Sequence, residues 1–307
     1  MKISEILSRR KAFPSLEIVP PSYGVEKHEL LRSIRPLMEF NPPYINVTCH
    51  RDRYELWPQE EGGLRKVLVR NKVDQTAVCA AVQAEFDVEV VPHLICAGAS
   101  REETESQLHN FKFLGINNIL ALRGDALPGE DRFTPEEGGY AFAFQLVESI
   151  RRFESCNGGG FCIGVAGYPE KHREAPDMAS DIQSLKRKVD AGADFIITQM
   201  FFDNNLFYRF RDKCDAAGIR VPIIPGLKPL SNARQTERIP RSFSLEIPSQ
   251  LSWQMHGNAS DADACYRIGQ EWCSRQCADL LQNGVPAVHF YTMSRSENVV
   301  GVLRECF

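Results

Sequence analysis

Glu17 is the residue whose setting points most directly to chemistry. It stands alone among Leu16, Ile18, Val19 and Pro20. A carboxyl desolvated in this way is expected to hold its proton to higher pH, the condition for a general acid near neutrality. The competing reading is an alternating strand with one polar residue turned to solvent or to a structural cation. Arg123-Gly124-Asp125 places a permanent cation, a glycine that lets backbone approach a ligand, and a carboxylate able to accept paired N–H donors in one tripeptide. A strand-terminal salt bridge would use the same residues. Arg187 and Lys188 are adjacent cations that could reach a phosphate or form a solvated helix face. Thr48, His93, Tyr168, His172, Gln199 and Tyr291 complete a set of polar groups in or just after apolar runs.

The elements that must position these groups follow from periodicity. Short β-branched runs at residues 15–19, 44–48, 90–96, 118–123, 161–167, 195–199, 221–225 and 287–292 alternate with longer segments of helical period. Leu30, Ile34, Leu37 and Met38 form one apolar helix face, and Met178, Ile182, Leu185 and Val189 another. Gly115 and Gly192 sit where helices give way to strands and a left-handed residue is wanted. Eight βα repeats predict an α/β fold, a TIM (β/α)8 barrel in one domain over residues 1–307, rather than a doubly wound sheet of five or six strands. The barrel then explains the polar set, because catalytic groups of that fold stand at the C-terminal ends of its strands. Two departures from the repeat are expected: a polar loop over residues 49–64, and a long segment over 228–283. The latter is punctuated by Pro229, Pro240 and Pro248, and then carries a helix over 261–282 capped from Asn258 or Ser260.

Composition narrows the function. The chain has 307 residues, with 36 Lys and Arg against 40 Asp and Glu, a net charge of −4, so no global basic field exists for nucleic acid or an anionic membrane. Hydrophobic residues at 43% supply a sizeable core. No GxGxxG follows a strand, no GxxxxGK[ST] or GxSxG occurs, and Gly158-Gly159-Gly160 precedes a strand and reads as a turn. The ten cysteines show no CxxC pair and no histidine at zinc spacing, which predicts reduced thiols and no metal. The opening MKISEILSRR lacks the apolar stretch of a secretory signal, and no run approaches the length of a membrane span, so a soluble cytoplasmic protein is expected.

Taken together, SLEIVPP at Glu17, YINVT at Thr48, VPHL at His93, LALRGD ending at Asp125, VAGYPEKH ending at His172, AGADFIITQMFFD through Gln199, IPGLKP, and HFYTMSR ending at Arg295 resemble the 5,10-methylenetetrahydrofolate reductases. The matches run in family order along nearly the whole chain. The resemblance implies a TIM barrel that holds FAD without a Rossmann motif and works by a ping-pong route. NADH or NADPH gives a hydride to the flavin, which then reduces methylenetetrahydrofolate to 5-methyltetrahydrofolate, in the service of methionine synthesis. Glu17 matches the family's general acid and Asp125 the carboxylate beside pterin and flavin. Thr48, His93, Arg123, Gly124, Asp125, Tyr140, Ala141, Tyr168, His172, Asp181, Arg187 and Lys188 match flavin contacts. Gln199, Gln235, Tyr291 and Arg295 match folate contacts, and a homo-oligomer is compatible with the family.

Several positions depart from the family pattern. Cys49-His50-Arg51-Asp52-Arg53 replaces a Gly-containing turn, and Phe142-Ala143-Phe144 stands for a Ser-Asp-Leu-like run. Ser184 replaces an Asn, and Ile239 an aromatic residue. Two alternatives follow: the same flavin barrel reduced by a partner electron-transfer protein, or a folate-binding subunit without turnover. The end of the sequence shortly after the eighth strand predicts no regulatory half and no inhibition by S-adenosylmethionine.

Overall fold

The structure, a computed structural model, describes residues 1–10, 12–49, 53–59, 62–69, 71–126, 132–292 and 296–307. Eight parallel strands close a barrel: β1 (Phe13–Ile18), β2 (Tyr44–Val47), β5 (Glu89–Ile95), β6 (Asn118–Leu122), β7 (Cys162–Gly167), β8 (Phe195–Met200), β9 (Ile223–Leu227) and β10 (Ala287–Tyr291). β1 pairs with both β2 and β10, so the sheet has no open edge. The helices are α1 (Ile3–Arg9), α2 (Lys27–Met38), α3 (Gln75–Phe86), α4 (Arg101–Phe113), α5 (Ala143–Asn157), α6 (Met178–Asp190), α7 (Asn204–Ala216), α8 (Gln235–Phe243), α9 (Ser249–Gly257), α10 (Ala262–Gln282) and α11 (Glu297–Cys306). The expected (β/α)8 architecture is therefore present.

Side-chain alternation divides the core in two. Leu16 and Ile18 of β1 join an outer layer with Leu31, Ile34 and Leu37 of α2, each such burial worth about 1.5–3 kcal/mol. Phe13, Tyr44, Val91, Leu120 and Phe195 fill the bottom of the barrel against Ile3, Ile6 and Leu7 of α1. That seven-residue helix, which periodicity did not reveal, closes the N-terminal end of the barrel. Helix entries are fixed by side chains: Asp74 accepts from the amide of Thr76 at 2.8 Å, and Ser100 with Glu103 forms a reciprocal capping box. Gly115 and Gly192 have φ of 72° and 117°, as their places predicted.

Three expectations are corrected. Residues 49–64 are not simply a polar loop, because β3 (Arg53–Pro58) pairs antiparallel with β4 (Leu64–Val69) in a separate hairpin. The Pro-punctuated stretch folds into α8 and α9, with Pro240 inside α8. These two helices stand on an apolar cluster of Met200, Leu230, Ile239, Leu251 and Met255 that extends from the ends of β8 and β9. α10 is capped by Asp261, whose carboxylate accepts from the amide of Ala264 at 2.9 Å, rather than by Asn258 or Ser260.

Candidate active site

Glu17 occupies the last inward-facing position of β1, two and four residues beyond Ser15 and Phe13 on the same face. It is only 8% exposed, which removes the reading of a solvent-facing strand carboxylate. Register places Tyr291 and Asn46 beside it on the neighbouring strands. Its Oε2 lies 3.6 Å from His93 Nε2 and 3.7 Å from His289 Nε2, so two imidazoles flank one carboxyl. His289 is fully buried and its Nδ1 is tied to the Ser15 hydroxyl at 2.7 Å, which fixes the ring. The Thr292 hydroxyl donates to the Glu17 carbonyl at 2.6 Å and anchors the backbone from the other side. Sequence reasoning missed Ser15 and His289 because it searched strand ends. The signal was available in the period-two rows Phe13-Ser15-Glu17 and Ala287-His289-Tyr291.

A second cluster lies beyond β7. Lys188 of α6 reaches back to donate to the Ala166 carbonyl at 2.5 Å, with its ammonium 5.8 Å from the Tyr168 ring centroid. Burial lowers its pKa to about 8, against the pull of Asp181 and with help from Arg123. Asp181 is buried and accepts from the His172 amide at 3.0 Å; burial raises its pKa. The His172 ring stands edge-on to Tyr168 at 4.8 Å. Its Nδ1 accepts from the Glu174 amide at 3.1 Å, so the proton of the neutral ring sits on Nε2. Burial, and then the nearby Arg123 charge, push its pKa down and favour that neutral form. Arg123 is bound in fork geometry by Glu174 at 2.8 and 2.5 Å, an ion pair that sequence reasoning assigned to no partner. Arg187 is exposed, about a quarter-turn around α6 from Lys188, so the adjacent cations do not act as one patch.

Gly124, at φ 86°, lies against the chain just past β5: a Cβ there would fall 2.6 Å from Ala97 Cβ. Bare backbone is required at this point. Beside it, a cavity of about 400 Å³ is lined by Thr48, His93, Ala97, Gly98, Asp74 and Gln107. Asp125 is exposed at the rim. The Tyr140 hydroxyl bonds to Ser149 and its ring lies under Arg101, while Gln145 accepts from the amides of Ala141 and Phe142 at 3.0 and 3.1 Å.

Of the expected folate contacts, Tyr291 donates to the Thr198 carbonyl at 2.7 Å with its ring edge on His289. Gln199 is half-buried, its carbonyl oxygen turned to the Met200 amide at 2.9 Å. The Gln235 carbonyl accepts from the Ser231 amide at 2.7 Å and so closes the turn into α8. Arg295 lies outside the described residues, as do His50, Arg51 and Asp52 of the altered loop. Ile239 is buried in the apolar cluster beneath α8 and α9. Among the described residues no group of three His, Cys, Asp or Glu is placed to hold a metal ion, and no helix is long and apolar enough to cross a membrane.

Glu170 connects the two halves of the barrel mouth, and its carboxylate accepts from the Glu246 amide between α8 and α9 at 2.7 Å. Burial pushes its pKa up to about 7 from 4.5, with Glu246 and Asp203 adding repulsion. The folded chain therefore keeps this proton to higher pH than the unfolded chain. The associated stability is full below about pH 4.5 and is lost as pH rises through 7, about 1 kcal/mol once solvent screening is allowed for. Thermal unfolding should show that decline between pH 5 and 8 in the wild type and a flatter profile in Glu170→Gln; parallel profiles would dismiss it.

Comparison with known proteins adds family to geometry. The methylenetetrahydrofolate reductase family model matches residues 2–306. The chain is 31% identical over 99% of its length to a probable NADPH-type methylenetetrahydrofolate reductase of Caenorhabditis elegans, and covers 43% of that protein. It is 36% identical to the NADH-type enzyme 1 of Zea mays, covering 48% of it. The chain thus spans about half the length of these relatives. It is 33% identical to the 5,10-methylenetetrahydrofolate reductase of Escherichia coli K12 over 92% of this chain and 86% of that one. Among solved structures, an uncharacterised Clostridium thermocellum protein described as binding two copies of 5-methyltetrahydrofolic acid superposes with a TM-score of 0.60. It is 12% identical and covers all of this chain and 98% of that one, a likeness of fold alone. With a family model spanning the barrel and both clusters at its mouth, the chain belongs to the methylenetetrahydrofolate reductase family.

Proposed function

We propose that this chain reduces 5,10-methylenetetrahydrofolate to 5-methyltetrahydrofolate, with FAD as its bound cofactor and NADH or NADPH as the reductant. The observation that carries the reading is the buried Glu17 between His93 and His289 at the mouth of a barrel of this family. The chemistry supplied by FAD when bound is storage of a hydride between two half-reactions that share one site.

The residues present fit such a group. Gly124 has no side chain, so the chain after β6 closes against Ala97, a residue that lines the cavity of about 400 Å³. The pyrophosphate of a dinucleotide needs cations and N–H donors that are not fully screened, and Lys188 with His172 Nε2–H supplies both. Thr48 and His93 line the adjoining cavity, Tyr168, Asp181 and Arg123 surround Lys188 and His172, and Tyr140 and Ala141 would add contacts from the chain before α5. Arg187, being exposed, would engage only a part of the cofactor that extends over α6.

Glu17 performs the step that the folate requires. The five-membered ring of the substrate opens only when N10 is protonated, and Glu17 is the buried acid that donates that proton. The iminium formed at N5 then accepts the hydride. His93 and His289 hold the carboxyl in place, and exclusion of water by Tyr291 strengthens its interaction with the developing cation. Asp125 at the rim and Gln199 on β8 orient the pterin, while Gln235 and Arg295 serve the folate tail.

Purified protein should be yellow, and its flavin should be bleached anaerobically by NADH or NADPH, then reoxidised by methylenetetrahydrofolate with release of the 5-methyl product. A colourless protein that cannot be reconstituted with FAD would refute the reading. Reduction only by a separate electron-transfer protein would replace the nicotinamide half-reaction and leave the folate half standing.

A further inference from the structure

Away from the barrel mouth, α10 and α11 run side by side in parallel, and their contacts advance in step. The Tyr266 hydroxyl donates to the Glu297 carbonyl at 2.6 Å, and the Gln270 amide donates to the Glu305 carboxylate at 3.0 Å. Gly301 allows the close approach, since a Cβ there would fall 2.2 Å from Gln270 Oε1. One turn further along, three thiols meet. Cys273 and Cys277 lie four residues apart on one face of α10, and Cys306 comes over them from the end of α11. Cys306 Sγ donates toward the Ser274 carbonyl at 3.6 Å. A helix carbonyl points toward the C-terminal turn while side chains lean back toward the N-terminus, so the Ser274 carbonyl that meets Cys306 lies at the level of the Cys277 side chain, and Cys273 leans a turn away from it.

We propose that Cys306 and Cys277 form a reversible disulfide, a modification site whose co-reactant is a low-molecular-weight disulfide such as glutathione disulfide. The two positions have the unequal exposure this exchange needs: Cys306 is half-buried and within reach of solvent, and Cys277 is fully buried beneath it. The neighbouring Cys277 thiol holds the Cys306 thiol below its ordinary range, while Cys306 and burial push Cys277 up, so Cys306 is the more readily ionised of the two.

The exchange balances in two steps. Cys306 thiolate attacks one sulfur of glutathione disulfide, forming a mixed disulfide and releasing one glutathione thiolate. That thiolate removes the Cys277 proton as the Cys277 sulfur attacks Cys306 Sγ, and the second glutathione leaves as thiolate, to be protonated by solvent. The two cysteines are oxidised by two electrons, and one glutathione disulfide becomes two glutathiones. The neighbouring Cys265 is already engaged with the Asn258 carbonyl at 3.2 Å. Cys156 is exposed, with its contact at the Ser155 hydroxyl, and serves as an internal control for simple adduct formation.

The test is to equilibrate the full chain with graded glutathione disulfide, quench with an alkylating agent, map the peptides and record thermal unfolding. Expected are a cross-linked Cys277–Cys306 peptide pair, loss of the mass of two hydrogens, and a Tm raised by about 5 °C from closing a loop of about 30 residues. Cys306→Ser should lose both signals, and Cys273→Ser should retain both. A lasting glutathione adduct on Cys306 would overturn the proposal. So would a Cys273–Cys306 bridge, or no cross-link at a ratio that modifies Cys156. Because the wild type alone gives a decisive map, the result does not depend on either variant folding.

Discussion

Glu17→Gln is expected to lower the rate of folate reduction by about 10²- to 10⁴-fold, the usual contribution of a positioned general acid, while flavin content and reduction of the flavin by NAD(P)H change less than about threefold. Gln keeps the volume and one hydrogen-bond acceptor of Glu17, so the packing against His93, His289 and Tyr291 survives. What disappears is the acidic proton. The nicotinamide half-reaction transfers a hydride without protonating a ring nitrogen of the donor, so it makes no demand on that proton. Separate stopped-flow traces of the two halves measure this difference. Equal loss in both would mean that Glu17 supports the flavin site as a whole and is not a selective acid.

The selectivity proposed for Glu17 has a structural basis in His289. A carboxyl in an apolar strand needs partners on neighbouring strands at the same height, and a parallel barrel supplies them by register. Ser15 lies opposite His289, and Glu17 opposite Tyr291. Ser15 fixes the imidazole through Nδ1, and the imidazole in turn limits where Glu17 can move. The proposed acid is therefore aimed by Ser15 and His289 from within the barrel wall.

The barrel was legible in the sequence because its strands are short, mostly apolar runs and the helices between them, such as α2 and α6, carry apolar stripes at helical spacing. Elements with weaker signals were not. α1 is only seven residues long, and Pro240 and Pro248 read as helix breakers although one lies within α8 and the other caps α9. The β3–β4 hairpin follows the charged run Arg51-Asp52-Arg53 and mixes Glu55, Arg65 and Lys66 among its apolar residues in a small sheet apart from the barrel, and so its first half reads as polar loop. In the site, the burial of Glu17 was legible because isolation among apolar neighbours is a local property. Arg123 and Gln235 were not fully read, because what they bond is set by chain distant in sequence or by a turn. Glu174 lies 51 residues from Arg123, and Gln235 spends its carbonyl on Ser231 four residues back. Arg187 and Lys188 make the same point on one helix: adjacent in sequence, they face different environments, and only Lys188 turns toward β7.

Lys188→Met should weaken FAD binding by about 10- to 100-fold, the loss of one charge-assisted contact to phosphate, and should also erase a pH dependence that the wild type shows. Lys188 titrates near 8 in the free protein because burial penalises its charge. A pyrophosphate beside it restores the charge and raises that pKa, so binding takes up a proton wherever the free amine is neutral. Wild-type affinity should therefore be level below about pH 7 and fall above 8, by at most tenfold per pH unit. The stability of the cofactor-free chain runs the other way. The unfolded lysine stays protonated to about 10.5, so between 8 and 10.5 the unfolded state binds more protons and folding gains as pH rises. Opposite slopes for cofactor affinity and for unliganded stability, both removed by one isosteric substitution, are a signature that general alkaline damage does not produce. Flavin fluorescence titrations and calorimetry across pH 6.5–9.5 on the two proteins measure it. A Met variant that binds FAD as tightly as the wild type would place the pyrophosphate away from α6.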